Sequence, residues 1–372
     1  MNQYNYANLY NNIYRNCKSF IFNLNWEKTF NSSLAGWFRR QPVGYTYLLG
    51  SNLTDCNLNN LYAIDNMANT FSGCSKLINI DVSNWNMSNV TNLASTFAYC
   101  NNLTSLDVSN WNTSNLTDLT MTFFNCYKIK VLNVSNWNIN NIVSLYSTFS
   151  YCYNLTSLDV SNWDTNNVTN LSNTFFYCCN LTSLDVSNWN TNNVTNLCNT
   201  FFNCYNLTSL DVSNWNTSNV TNLYQTFFNC RNIINLDMSK WNTWYVSNIR
   251  YFLYNDIKIS ELNLAQWNTE NIVSLSNSFA RCINLKNLDV TQWNLKNATT
   301  LQSMFDNCNN LTNESLYNIG TMLLTATNVS YKNLYPRNTY SPFYYSNKYI
   351  NKTTVGTDLV TQLQAAGWRV SS

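Results

Sequence analysis

The chain has 372 residues, 45% of them apolar but only 10% charged, with a formal net charge of +2, no His, 7 Gly and 3 Pro. Charged content is well under the roughly 25% of ordinary soluble domains, so Asn, Ser, Thr and Tyr must supply the polar surface. Composition excludes collagen-like and linker-rich chains, and no long basic run marks a nucleic-acid binder.

Residues 1–50 are rich in Tyr, Phe and Trp and lie outside any repeat. They read as an N-terminal cap or an attachment module for other copies or a larger assembly. No basic leader with an apolar stretch opens the chain, which carries the expectation that it is not exported by a signal peptide. No run reaches the ~18 apolar residues of a membrane span.

From residue 51 to 312 one unit recurs. Trp85, Trp111, Trp137, Trp163, Trp189, Trp215, Trp241, Trp267 and Trp293 follow one another every 26 residues. A Cys column runs from Cys74 through Cys100, Cys126, Cys152, Cys178, Cys204 and Cys230, fails at Asp256, and resumes at Cys282 and Cys308. A Phe column runs from Phe71 to Phe305, with Leu253 in its one gap. Such phase predicts one stacked supersecondary unit per period.

Within residues 101 to 126, the L-x-x-L-x-V pattern of Leu103, Leu106 and Val108 predicts a short strand with Asp107 facing outward. Leu116, Leu119, Phe123 and Cys126, three to four apart, predict a helical or 3-10 leg. The expected fold is a leucine-rich-repeat solenoid with a parallel β-sheet and short helical or 3-10 turns in each 26-residue rung. We read the Trp column as core, with a row of sugar-stacking indoles as the alternative. The Cys column reads as small buried hydrophobes, with disulfides between rungs left open.

The unit LTSLDVSNWNTSNVTNL followed by TF and C resembles the BspA-like leucine-rich repeats of bacterial surface proteins, which also occur in bacteriophages. That resemblance implies a repeat solenoid with an adhesive or ligand-binding role. It covers roughly residues 51 to 312, and differs in carrying Trp where Phe is frequent. From it comes the functional expectation of a virion component, such as a fibre, tail or head decoration that meets a bacterial host. The alternatives are a bacterial cell-surface adhesin and an intracellular protein-binding scaffold.

Enzymatic chemistry is not expected. The chain lacks His, a Gly-rich phosphate loop, and any Ser or Cys set beside a base. Binding is expected of exposed aromatics, among them Tyr99, Tyr151 and Tyr177. It is also expected of the irregular rung that carries Trp244, Tyr245, Arg250, Tyr251 and Tyr254. The partner would be a host surface glycan or protein, with virion proteins meeting residues 1–50 and self-association as a further expectation. No cofactor is expected beyond weak Ca²⁺ along the outward column Asp107, Asp159, Asp185, Asp211 and Asp237, where crowded carboxylates should recruit cations, bond to Ser hydroxyls or titrate high. Residues 313–372 read as a C-terminal helical cap, with helices near Asn313 and Thr357.

Overall fold

The computed structural model describes residues 65–371 and the backbone of two earlier strands, β1 (Phe20–Asn23) and β2 (Asp55–Asn59). The expected module at 1–50 otherwise lies outside the described residues. The chain divides into two compact units, 1–163 and 164–372, each a stack of rungs.

In the first unit β1, β2 and β3 (Asn79–Asp81) pair in parallel, as do β4 (Val131–Leu132) and β5 (Ser157–Leu158). In the second, β6 (Glu261–Asn263) pairs with β7 (Asn287–Asp289). Side chains alternate as the pattern requires: Leu106 and Val108 are buried while Ser105 and Asp107 face out.

The leg expected to be helical or 3-10 is a run of overlapping turns, closed by i to i−3 bonds of the 3-10 kind rather than by a continuous helix. Thr96 N–H bonds to Leu93 O, Ala98 to Ser95 and Cys100 to Phe97, while the intervening N–H groups of Leu93, Ser95, Phe97 and Tyr99 donate to the next rung. Helical i to i−4 bonding would spend all of these donors inside one rung; tandem turns leave every second one for the neighbour. The geometry requires two residues per rung in the left-handed region, four apart, such as Ser95 at φ 56° and Tyr99 at φ 62°. Asn and Ser fill many of these places, as their short polar side chains favour.

Three side-chain columns then lock each rung to the one before. Trp111 Nε1 donates to Val82 O at 3.0 Å, Thr96 Oγ to Met67 O at 2.9 Å, and Cys100 Sγ to Phe71 O at 3.2 Å. In each case the acceptor carbonyl also takes a backbone N–H from its own rung, so both of its lone pairs are used. The second unit repeats all three clamps, with Trp215 on Val186, Thr226 on Leu197 and Cys230 on Phe201.

The indoles are core. Trp189, Trp215, Trp241 and Trp267 stack on their successors at 6.0–6.3 Å with planes within 10°. No disulfide joins the described cysteines, and burial pushes Cys152 up to about 12.

Trp85, first of its column, finds no acceptor for Nε1 among the described residues. The register before it also differs: β2 pairs with β3 at an offset of 24 (Asp55 opposite Asn79), whereas β4 and β5 pair at 26 (Val131 opposite Ser157).

The second unit closes differently. Residues 341–346 imitate a turn leg. Ser303 and Phe305 donate to the carbonyls of Ser341 and Pro342, Phe343 stacks on Phe305 at 5.6 Å, and Ser346 Oγ reaches Phe305 O where a Cys thiol would otherwise sit. Helix α1 (Asn313–Leu324), capped by Thr312, turns Ser315 Oγ toward Lys286 O and the Leu288 N–H, so the strand leg also meets partners. The remaining helices are α2 (Lys352–Val355) and α3 (Thr357–Ala365). Gly320 lets α3 approach α1, since a Cβ there would lie 2.8 Å from Leu359 Cδ2.

Candidate recognition site

The turn leg decides which aromatics reach the surface. Each buried Phe is followed by a position that is buried in some rungs (Ala98, Ser150, Ala280) and half-buried in others (Phe124, Phe176, Phe228), and then by a left-handed one. In the first unit Tyr99 is 44% exposed and meets Phe124 edge-on at 5.1 Å; Phe124 meets Tyr151 at 5.4 Å, and Tyr151 lies 5.7 Å from Tyr153.

In the second unit Phe176, Phe202, Phe228 and Tyr254 form a column of stacked plates with centroids 4.7, 4.4 and 4.7 Å apart. Tyr177 packs edge-on against Phe176 at 4.8 Å. Tyr151 and Tyr177 are only half-buried rather than free on a rim, because each leans on neighbouring rings.

The irregular rung adds to the far end of these plates. Tyr251 lies 5.6 Å from Tyr254, 6.1 Å from Phe228 and 6.3 Å from Tyr224. Arg250 sits over the Tyr251 ring at 5.8 Å and Arg281 over Tyr254 at 5.9 Å, so two guanidinium groups flank one tyrosine pair. The structure therefore brings together Arg250, Tyr251 and Tyr254 and adds Arg281, which sequence reasoning missed. The available clue was an Arg, the one cationic residue, in a column of Asn and Tyr that runs from Tyr99 to Asn307.

Trp244 and Tyr245, 47% and 58% exposed, stand on a different leg. Trp244 N–H bonds to Asn242 Oδ1 and its carbonyl takes Asn271 Nδ2. No described contact joins them to the Arg250 cluster. Phe252 is wholly buried, edge-on to Phe227 at 5.4 Å and Trp267 at 5.5 Å. It takes the place of the buried Thr of other rungs while Leu253 takes that of the Phe.

The Asp column serves its own turns. Asp107, Asp159, Asp185, Asp211 and Asp237 each accept, through Oδ1, the N–H and the hydroxyl of the Ser two residues on. Those bonds hold Asp81, Asp107 and Asp185 below the usual carboxylate range, the Ser hydroxyl contributing most; for Asp237 the Ser239 N–H leads. Hydrogen bonding to Ser, one of the outcomes expected of crowded carboxylates, is present along the column, and at Asp81, Asp107, Asp185 and Asp237 the two donors on one oxygen lower the pKa rather than raise it. A cation would be left with one Oδ2 per rung. Among the described residues no three acidic or Cys side chains converge as a metal set. Asn112 and its equivalents close the next turn likewise, and Asn115 Nδ2 reaches Ser88 O of the preceding rung.

Asp256 is the exception. It occupies the Cys column between Cys230 and Cys282, is wholly buried, and neither carboxyl oxygen has a partner. Desolvation pushes its pKa well above the usual carboxylate range and disfavours the charged form. The carbonyl that its column predecessors would address is Phe227 O.

Parallel rungs of 26 residues, locked by indole, hydroxyl and thiol donors and carrying outward aromatic columns, define a leucine-rich-repeat solenoid protein of the BspA-like kind. The chain belongs to the family described as "Mycoplasma protein of unknown function, DUF285", whose model matches residues 47–158, 144–262 and 221–335. No curated protein matches it. Among solved structures it is similar to a leucine-rich repeat protein from Bacteroides ovatus, at 14% identity and a TM-score of 0.39 over 70% of this chain and 72% of that one. An internalin from Listeria monocytogenes is 14% identical with a TM-score of 0.27, over 81% and 88%. A leucine-rich-repeat protein from Leptospira interrogans is 12% identical with a TM-score of 0.27, over 91% and 95%. Among the described residues no helix is long and apolar enough to cross a membrane.

Proposed function

We propose that the protein is a non-enzymatic recognition protein that presents the aromatic columns of its turn leg, at a surface, to a glycan or protein partner. The observation that carries this reading is the row from Phe176 to Tyr254, extended by Tyr251 and flanked by arginines outside any ion pair. Among the described residues the one ion pair is Lys296 with Glu270, at 2.8 Å. Phe202 is buried, but Phe176, Phe228, Tyr251 and Tyr254 are half-buried, and rings that keep a face or edge near solvent supply contact area at low entropic cost.

The surface in question is that of a bacterial cell, a choice supported by the mycoplasmal description of the family. Display on a virus particle is the other outcome of the same localisation experiment, immunogold labelling of cells and of purified particles. Recognition itself is tested by adhesion of the purified chain to cell envelopes. Tyr254→Ala and Tyr251→Ala should reduce adhesion while the protein stays folded by circular dichroism. Undiminished adhesion of both variants would retire the reading.

A further inference from the structure

We infer that the Arg250, Tyr251, Tyr254 and Arg281 cluster is a binding site for a carboxylated glycan; the inference rests on the recognition reading above and names its ligand class. Arg250 and Arg281 are exposed, and each is held over a tyrosine ring rather than on a carboxylate. Asp306, the acid closest in its effect to Arg281, is half-buried, is not within ion-pair distance, and bonds to Asn307 Nδ2. The cluster therefore keeps two guanidinium forks free for an incoming anion, the group they bind bidentately.

Two of the four residues stand where every rung turns left-handed. Tyr251 at φ 55° and Arg281 at φ 63° stand at left-handed positions. In the neighbouring rungs Gln225 and Asn277 hold the place of Tyr251, and Asn255 and Asn307 that of Arg281.

The amide column ends at this point as well. Asn229 Nδ2 donates to Asn203 Oδ1 at 2.6 Å and Asn255 Nδ2 to Asn229 Oδ1 at 2.7 Å, but Arg281 stands where the next amide would follow. Two cationic forks, an amide acceptor and a tyrosine pair with ring faces and hydroxyls lie side by side. That mixture matches a sugar acid, whose carboxylate, hydroxyls and C–H face need all three.

The test titrates the full chain in a calorimeter with a hyaluronan oligosaccharide, a neutral chitin oligosaccharide of similar length and a polyglutamate peptide. Hyaluronan should bind best. Arg250→Gln and Arg281→Gln should each weaken it by about tenfold, the effect of losing one charged hydrogen-bonding partner, without lowering the melting temperature. Arg250→Lys should restore only part of the loss, since an ammonium cannot reproduce the fork. Equal binding of chitin and hyaluronan, preference for polyglutamate, or silence with all three would overturn the inference. Loss of cell adhesion in Tyr254→Ala with both Arg→Gln variants unaffected would leave the recognition reading standing and sink this one alone.

Discussion

The indole Nε1 of Trp241 donates to the carbonyl oxygen of Val212 at 3.0 Å, 29 residues upstream. Twenty-nine is one period plus the three residues of a turn, and the same interval links Thr200 to Leu171 and Cys204 to Phe175. The acceptors are turn carbonyls that already hold their own rung's N–H, so one rung's turn geometry is completed by side chains of the next. Stability of this kind is a nearest-neighbour property: a change in one rung acts on two interfaces and little beyond.

Asp256 breaks that rule, and its replacement should therefore stabilise. Asp256→Cys restores a thiol between Cys230 and Cys282 and removes two buried oxygens without partners, a gain of about 1–3 kcal/mol. The sign of the pH dependence follows from a folded pKa raised by desolvation. Stability linked to Asp256 is complete below the unfolded value near 3.9 and is lost as pH rises through the folded pKa. Denaturant melts of both proteins at pH 4.5 and pH 7.5 should show the advantage of the variant widening at the higher pH. A constant gap would mean that the carboxyl is solvated.

Gln225 offers a second repair. It holds φ 55° in a column where Asn173 and Asn199 precede it, and Asn199 Oδ1 is buried without a donor although Asn199 Nδ2 reaches Asn173 Oδ1. Gln225→Asn places a shorter amide at the left-handed position and brings Nδ2 toward that oxygen. Thermal melts should rise, for a gain of about 1 kcal/mol. A lower melting temperature would show that Gln225 makes a contact the shorter side chain loses.

The Asp column makes the opposite acid prediction. Ser187 donates twice to Asp185 and holds its pKa low, so this contribution is present above the unfolded pKa and is lost as pH falls through the folded one. Asp185→Asn should keep the turn, as Asn133 does with Ser135, and should lose this share of acid sensitivity. Asp185→Ala should cost about 1 kcal/mol at neutral pH. Equal melting temperatures for the Ala and Asn variants would contradict the structural role of the column.

Much of the fold was legible in the sequence because stacking copies a chemical requirement into every period. The Trp and Cys columns and the alternation around Leu106 and Val108 needed no coordinates. The turn leg was legible only as helical or 3-10, because Leu119, Phe123 and Cys126 recur at three to four residues in tandem i to i−3 turns as well as in a helix. What separates the two is the left-handed pair, and Met121, Tyr99 and Arg281 hide it where Asn or Gly would have announced it. The Thr clamp escaped notice because a buried hydroxyl looks like an exposed one in sequence. Residues 341–346 carry no period, yet Phe343 and Ser346 complete the last rung. Of the candidate site, Arg250, Tyr251 and Tyr254 stood out by breaking the repeat. Arg281 is a rung away and joins them only in three dimensions.

The most direct test of the account is the melting temperature of Trp215→Phe. Phenylalanine keeps an aromatic ring in the stack between Trp189 and Trp241 but cannot donate to Val186 O. A donor essential to the rung interface predicts a loss of about 1–3 kcal/mol, seen as a fall of several degrees, with adhesion below the melting range unchanged. An unaltered melting temperature together with lost adhesion would place the indoles on the binding surface and contradict the clamp.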